Sequence, residues 1–589
     1  MNKNKILATL LAGFFATMML AASHHPQHPK VAPDLLNTAK PDETVDVIVQ
    51  YREAVTESHI RALRSRHGGR HKRTYEFINS AHVSLPVSEI ERLADDPSVL
   101  RITPDRVIEG SLDRSIAVSN YQPLDNYLMG INQSKGAGVG IVFLDSGVAP
   151  QYNFNTFKST TVSRLVAAES MIDNDPADRY GHGTHVAGIA TGMDNVTMAI
   201  PNSKRYFWGI APDAYIISLK VLNANGAGSD STVIAGINRA IQLKSLHPEW
   251  NIRVMNVSLG RPVYESYKLD PLCQAVEKAW KAGIFVVVAA GNEGRNNTAN
   301  NNGYGTITAP GNDPLVITVG AVNTRGSYDR NATVLTSYSS KGPTLVDHIA
   351  KPDIMAPGNR VISYEAAGST LPTIYPANVL KVGDYDPTGS MTTLSPYYFT
   401  LSGTSMAAPL VTGLAAIVYE FYPSITPDQL KAFIMRNAWR GLPANYSASD
   451  PATGKTFTVS GDIFSVGAGL LDMWAMYQDL QAQGLSKIPA GVGSAASPTA
   501  YYDAVSKTIK LSLNTYGATS VTWGSSVTWG SSVIWGANVS GSSVIWGSSV
   551  TWGSSTMSGF SVIWGATSPW AASAMSSGEA SVIAIFGEN

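Results

Sequence analysis

Three short, glycine-bearing strings hold an acid, an imidazole and a hydroxyl: Asp145 in LDSGV, His182 in DRYGHGTHVAGIA and Ser405 in SGTSMAAP. A serine hydroxyl is a weak nucleophile at neutral pH. It needs a neutral imidazole to take its proton, and the imidazole needs a carboxylate to fix its tautomer and stabilise the cation that forms. Asp145, His182 and Ser405 supply these groups, and the chemistry they imply is attack on an acyl carbon. Asn292 in VAAGNEG offers an amide beside tight glycine turns. With the backbone N–H of Ser405 at a helix N-terminus, it could hold the oxyanion of a tetrahedral intermediate. Each residue also has a plainer reading. Asp145 could be a strand-end turn residue, Ser405 a helix cap, and His182 with His185 a pair of metal ligands on one helix face. Together those readings leave four motifs unexplained. Cys273, the single cysteine, lies in the amphipathic LDPLCQAVEKAWKAGI and reads as a buried thiol rather than a nucleophile. The small residues Gly403, Thr404, Ala407 and Ala408 read as room for a peptide to reach Ser405, with Pro409 in the first turn of the following helix.

The elements that must position these groups are legible as alternating strands and helices from about residue 135. GVGIVFLDSGV, AYIISLKVL, IRVMNVSLG, IFVVVAAGNEG and LVITVGAV are continuous apolar runs, as expected of parallel strands covered on both faces. The fold class is therefore α/β with a parallel sheet. Reactive groups gather at the carboxyl ends of such strands, where Asp145, Ser258 and Asn292 all fall. Ahead of this region, residues 45–109 read β-α-β-β-α-β, the order of an α+β ferredoxin-like unit. Residues 1–23 have the plan of a secretory signal peptide: a basic start, an apolar run and small residues at Ala21, Ala22 and Ser23. An uncleaved anchor is the alternative, but the run is short for a bilayer and no other segment reads as long and apolar enough to span one. Residues 486–520 read as a linker. Residues 521–589 repeat V-[T/I]-W-G-S-S, with Trp523, Trp529 and Trp535 six apart. That pattern suits either a stacked array of short strands or an extension without a fold of its own, and the tail could contact a surface. The net charge of −1 favours no polyanionic partner, so no nucleic acid is expected.

The order Asp145, His182, Ser405 within GHGTHVAG and GTSMAAP resembles the subtilisin-like serine protease family. GIAPDAYIISLKVL, NVSLG, VVAAGNEG, KPDIMAPG and GAGLLDMWA follow in the family's order. The resemblance covers about residues 126–477, and the 45–109 unit is similar to the family's inhibitory propeptide. It implies a secreted or cell-surface serine endopeptidase acting on polypeptides, made as a zymogen: signal 1–23, propeptide 24–112, catalytic domain 113–485. The second histidine, His185, would be structural. Substrate would pair by strand addition with the segments holding Asn256, Ser258, Leu259 and Gly260 and, opposite, Gly226 and Gly228. Ala289, Ala290 and Gly291 would line the first specificity pocket, made shallower by Thr308 where the family has glycine. The Ala309–Pro310 bond would be cis. A G-x-S-x-G elbow, the mark of a serine esterase, is absent around Ser405.

The chain departs from the family's pattern in several places. Asp230 and Arg261 stand where many members have apolar or small residues. No cofactor is expected for the chemistry. A structural calcium has hard oxygen donors available at Asp173, Asp175 and Asp178, but no site is identifiable and TGMDNVTMAIPNSKRYFW replaces the family's usual loop. An insertion between APGNRVIS and SGTSMAAP reads as a surface loop or hairpin beside the site. Maturation by self-cleavage is expected between Glu109 and Asp113, after Leu112 or, next in order, after Ser111, with the excised unit then acting as the enzyme's own inhibitor.

Overall fold

A computed structural model describes residues 28–512 except 33–34, 36–42, 105–106, 111–117, 131–133, 158, 160, 298–300, 328, 450–454, 486–487, 489 and 504–507. The expected signal segment, the maturation bond and the repeat tail lie outside the described residues.

The chain divides into two units, one formed by residues up to 73 with 81–104 and the other by residues 74–80 with 105 onward. The first carries β1 (Thr44–Tyr51), α1 (Glu57–His67), β2 (Arg70–Tyr75), β3 (Ser80–Pro86), α2 (Ile90–Ala94) and β4 (Val99–Pro104), with sheet order β2-β3-β1-β4. Thr56 caps α1 and Gly68 ends it in the left-handed region at φ 61°. Val47, Val49, Ile60, Leu63, Val83 and Leu85 form its core. Residues ahead of position 45 join it, since Val31 bridges Ile102 and is buried.

The larger unit is built on an eight-stranded sheet. Its strands are β6 (Gly140–Asp145), β7 (Leu165–Ser170), β8 (Tyr215–Lys220), β10 (Ile252–Val257), β12 (Phe285–Ala289), β13 (Ile317–Asn323), β14 (Val334–Leu335) and β15 (Ile354–Pro357). The order is β14-β13-β12-β10-β6-β8-β7, with β15 on β13, and every pairing except β13–β14 is parallel. The apolar runs of the sequence are these strands; β6, β12 and β13 are buried at every residue. The connections leave β6 toward β8 and β7 on one side and return to β10 on the other. A crevice therefore opens at the carboxyl ends of β6 and β10. Helices α3 (His182–Thr191), α4 (Asp230–Leu246), α5 (Pro271–Lys281), α7 (Thr404–Phe421) and α8 (Pro427–Arg436) flank the sheet. Helix α7 is long and apolar enough to cross a membrane, yet Thr404 through Tyr419 are buried inside this unit.

Three expectations change. The insertion before Ser405 goes beyond the expected loop or hairpin: β16 (Val361–Tyr364), β17 (Val379–Lys381) and β18 (Leu394–Leu401) form an antiparallel sheet of order β16-β18-β17, with a short helix α6 (Thr370–Ile374). Residues 490–503 and 508–512 are not linker-like. Ala500–Asp503 pairs with Thr508–Leu511, and the backbone of Ala350 bonds to Pro498 at 2.8 Å and that of Ala500 to His348 at 2.7 Å. Small residues there (Ala495 and Ser497, both buried) let this strip lie flat on the body. Pro409 is the sixth residue of α7, not in its first turn. A proline there removes the N–H that would bond the carbonyl four residues back, at Ser405. The hydroxyl of Ser258 donates to that carbonyl instead, at 2.9 Å.

Candidate active site

Asp145 ends β6 at the mouth of the crevice. Its Oδ1 accepts the N–H of Ser146 at 2.8 Å and meets His182 Nδ1 at 2.7 Å, with both side chains buried. An ionised carboxylate only accepts, so Nδ1 carries the proton and Nε2 is the bare, basic nitrogen. Among the described residues Nε2 has no partner.

His182 is the first residue of α3, entered through Gly181 at φ 103°, a conformation that side chains rarely adopt. Gly183 permits close approach: a Cβ there would stand 2.1 Å from the carbonyl of Gly147. Asp178 holds the helix end. It accepts from Ser146 Oγ (2.9 Å), the N–H groups of Tyr180 (3.1 Å), Gly181 (2.7 Å) and Thr184 (2.9 Å), and Thr184 Oγ1 (2.6 Å). Burial pushes its carboxyl above the usual range, and the bonds from Thr184, Gly181 and Ser146 pull against that rise. The sequence reading used Asp178 only as a calcium donor. Its position four residues before His182, at the start of a helix, was the available signal.

Ser405 is the second residue of α7 and is buried. Its Oγ donates to the carbonyl of Ser258 at 3.2 Å and makes no hydrogen bond to His182. Below it, Asn256 Nδ2 donates to Ser258 Oγ at 2.8 Å, and Thr412 Oγ1 donates to Asn256 Oδ1 at 2.8 Å. Asn256, expected along the substrate strand, thus lies inside β10 with its side chain supporting the floor beneath Ser405. The small residues of α7 also have a different use. Ala407 and Ala408 are fully buried, and a Cβ on Gly413 would stand 3.0 Å from the Ala190 carbonyl. They let α7 lie close to its neighbours.

Asn292 follows Gly291, which is at φ 101°. Its Oδ1 accepts from Thr404 N at 3.0 Å and Thr404 Oγ1 at 3.1 Å. A backbone N–H can only donate, so the facing amide atom is the oxygen and Nδ2 is the atom left to donate. Thr404, read in the sequence only as one of the small residues around Ser405, fixes that orientation; its Oγ1 also accepts from Gly291 N at 3.0 Å.

Beside the crevice, β9 (Ala227–Ser229) and β11 (Leu259–Gly260) flank β5 (Val107–Gly110) in a three-stranded antiparallel sheet. Leu259, Gly260 and Gly228 take part in that pairing; Gly226, at φ 74°, packs against the Tyr180 ring. Ala289 and Ala290 are buried at the end of β12, and Thr308 Oγ1 donates to the Ala290 carbonyl at 3.3 Å. Ala309–Pro310 is cis, as expected. Asp230 and Arg261 pair with each other: the guanidinium meets Asp230 at 3.0 Å and Asp270 at 2.7 Å, all three buried. They brace α4 against the residue after β11. In the insertion, Thr370 N bonds to the Arg179 carbonyl and Leu371 N to the Tyr180 carbonyl, each at 3.0 Å, and Thr370 Oγ1 reaches the Ala224 carbonyl at 2.8 Å.

His185 is no metal ligand by its contacts; its Nε2 faces the carbonyls of Val361 (3.2 Å) and Phe399 (3.1 Å) and donates to them. The donors named for calcium do not fit one. Asp173 is held by the Lys220 ammonium at 2.9 Å, Asp175 by Arg179 at 2.7 Å, and Asp178 by the α3 terminus. Among the described residues no three acidic, histidine or cysteine groups cluster for a metal. Cys273 is buried against Asn312, and burial pushes its thiol well up.

The subtilase family profile matches residues 136–485. Serine protease AprX of Bacillus subtilis is 30% identical over 399 residues, spanning 66% of this chain and 82% of its own length. Subtilisin DY of Bacillus licheniformis is 31% identical over 346 residues, spanning 58% of this chain and 92% of its own length. Among solved structures, fervidolysin from Fervidobacterium pennivorans, a keratinolytic enzyme related to subtilisin, is similar in fold, with a TM-score of 0.50 at 20% identity over 74% of this chain. The chain spans 61% of fervidolysin's length.

Proposed function

Because the chain belongs to the subtilase family, a subtilisin-like serine endopeptidase hydrolysing peptide bonds, we propose that its chemistry runs through Ser405, His182, Asp145 and Asn292. The observation that carries this reading is the buried 2.7 Å contact between Asp145 Oδ1 and His182 Nδ1, which leaves Nε2 as the base. Ser405 Oγ gives up its bond to the Ser258 carbonyl and passes its proton to Nε2 as it attacks the peptide carbonyl carbon. The oxyanion is held by Asn292 Nδ2 and the Ser405 N–H at the start of α7. His182 then protonates the leaving nitrogen, and the C–N bond breaks to give an ester on Ser405. Water, deprotonated by His182, hydrolyses that ester and restores the serine. Asp145 stays ionised and stabilises the imidazolium. No cofactor enters these steps.

The protein is read further as a secreted zymogen. The basic-then-apolar start of the chain supports export. The pairing of β5 with β9 and β11 supports the reading that the segment joining the two units occupies the substrate strand and blocks the site. Leu259, Gly260, Gly226 and Gly228 are the backbone partners of a substrate, and Ala289, Ala290 and Gly291 the first pocket.

Expression of full-length Ser405→Ala in a protease-free preparation tests the assignment. It should abolish casein hydrolysis and labelling by a serine-directed phosphonate, and leave the precursor uncut. A Ser405→Ala chain that still matures by itself, or still takes the label, sinks it.

A further inference from the structure

The loop that leads into His182 and the loop that leads into β9 meet at one residue of the insertion. Thr370 and Leu371 are the first two residues of α6, so their N–H groups have no acceptor inside that helix. They donate to the carbonyls of Arg179 and Tyr180, each at 3.0 Å, just ahead of Gly181 and His182. Thr370 Oγ1 reaches the other way. It donates to the Ala224 carbonyl at 2.8 Å, with the Arg179 carbonyl 3.1 Å away. One residue therefore holds the histidine loop through its N–H and the β9 loop through its hydroxyl.

Both loops are braced well enough to pass a displacement on. Asn223 N bonds to the Ala227 carbonyl at 2.8 Å, Gly226 N to the Asn223 carbonyl at 3.0 Å, and Ala227 N to Asn223 Oδ1 at 3.2 Å. Ala224 and Ala227 thus belong to one closed turn, and Ala227 is the first residue of β9, opposite Glu109. In the histidine loop, Asp178 accepts from the N–H groups of Tyr180 and Gly181 at 3.1 and 2.7 Å. The two turns also touch: a Cβ on Gly226 would stand 2.3 Å from the Tyr180 ring. Gly181 lies so close to the insertion that a Cβ on it would stand 2.6 Å from Ser369 Oγ. The insertion is in turn anchored on the helix that carries the base. Ser363 Oγ donates to the His185 carbonyl at 2.7 Å, and His185 Nε2 donates to the carbonyls of Val361 and Phe399. Thr370 closes a ring of contacts that runs from β9 through α6 and β16 to α3.

We propose that Thr370 is a positioning residue that couples occupancy of β9 by a peptide to the alignment of His182. A peptide lying where β5 lies, opposite Ala227 and Gly228, fixes the β9 loop. Thr370 carries that constraint to Arg179, and the imidazole is held in line for Ser405. Contacts far from the scissile bond are then expressed in the chemical step and not in binding alone. The proposal rests on the peptidase reading above. Thr370 acts through the two loops, not on the substrate.

Enzyme matured from the full-length chain is assayed on two substrates. One is a blocked single-residue amide, which ends short of β9. The other is a longer peptide whose acyl side fills the positions of Ile108 and Glu109 opposite β9. In the wild type the longer peptide should have the higher kcat; equal values overturn the proposal. Thr370→Val keeps the shape and the N–H but loses the hydroxyl, so the bond to Ala224 goes while the N–H bond to Arg179 stays. The kcat ratio of longer to shorter substrate should fall about tenfold, with KM for the longer peptide held. Thr370→Ser, which keeps the hydroxyl, should restore the ratio. An unchanged ratio in Thr370→Val, or a Thr370→Ser variant as impaired as Thr370→Val, overturns the coupling. A loss confined to KM also overturns it, because Thr370 would then only support the substrate strand. Asn223→Ala opens the β9 turn from the other side and should lower the same ratio, which decides the matter if Thr370→Val does not fold; an unchanged ratio there overturns the proposal as well. Labelling of the wild type by a serine-directed phosphonate separates the two readings. If neither substrate is cut and no label is taken, the peptidase reading fails and this one with it. If both substrates are cut, the label is taken and the ratio ignores Thr370, only the present inference fails.

Discussion

Asp178 collects five hydrogen bonds, four of them from groups within six residues of it and one from Ser146 beside Asp145. No substrate atom needs to touch it; it is a positioning residue. It fixes where α3 begins relative to β6, and so sets the line between His182 Nδ1 and Asp145 Oδ1. Asp178→Ala should leave three backbone N–H groups and two hydroxyls without their acceptor. The expected outcome is a fall in kcat of about 100-fold from a displaced imidazole, with KM little changed. Steady-state kinetics on a peptide substrate check this, and Asp178→Asn, which keeps one accepting oxygen, should recover part of the loss. A drop in KM-dependent terms alone would contradict the positioning role. Thr404 acts in the same way on Asn292: it selects which atom of the amide is left to donate.

At the scale of elements, the insertion is tied to the catalytic rim. Helix α6 is bonded to the backbone at Arg179, Tyr180 and Ala224, and β16 and β18 both supply carbonyls to His185. Glu365, just past β16, is bonded through its N–H to the Tyr397 carbonyl at 2.8 Å, while its Oε2 is buried with no partner among the described residues. Burial alone pushes its carboxyl from 4.5 up to about 7. A raised carboxyl means that the folded chain holds a proton the unfolded chain has released. Its stabilising share is therefore full below about pH 4.5 and is lost as pH rises to about 7. Glu365→Gln should raise the thermal midpoint at pH 8 and leave it unchanged at pH 4. Equal shifts at both values, measured by calorimetry, would show that the carboxyl is not the source.

For the whole molecule, the strip formed by residues 490–503 and 508–512 is bonded onto the larger unit. Ser497 Oγ donates to Asp353 Oδ1 at 2.5 Å and accepts from Lys431 Nζ at 2.9 Å. Lys351 completes the buried group at 2.6 Å from Asp353. Ions taken out of water are tolerated only when paired and fully bonded. Ser497→Ala removes one donor and one acceptor there and should destabilise by about 1–3 kcal/mol, read as a lower denaturant midpoint. Ending the chain at Leu485 should lower stability further, because it also uncovers Asp428, which accepts from Ala495 N at 3.0 Å. A truncated chain as stable as the full one would return this strip to the role of a linker.

The sequence by itself determined the family and the sheet. GHGTHVAG, GTSMAAP and VAAGNEG are local strings in which the reactive residue and the glycines that shape its turn are neighbours, so they can be read without a fold. Continuous apolar runs likewise mark strands covered on both faces, because covering requires side chains of one kind on every position. What the tertiary structure decided depends on partners far apart in the chain. Arg261 was only a departure from the family's pattern until Asp230 and Asp270 were found around it. Asn256 looked like a cleft residue until the floor under Ser405 was seen to need it. Pro409 was placed in a helix's first turn, and only the hydroxyl of Ser258, 147 positions before Ser405, explains how a proline is tolerated one turn further on. Spacing reveals which residues share a turn, while the acceptor a side chain finds across the core is set by how the strands and helices stack.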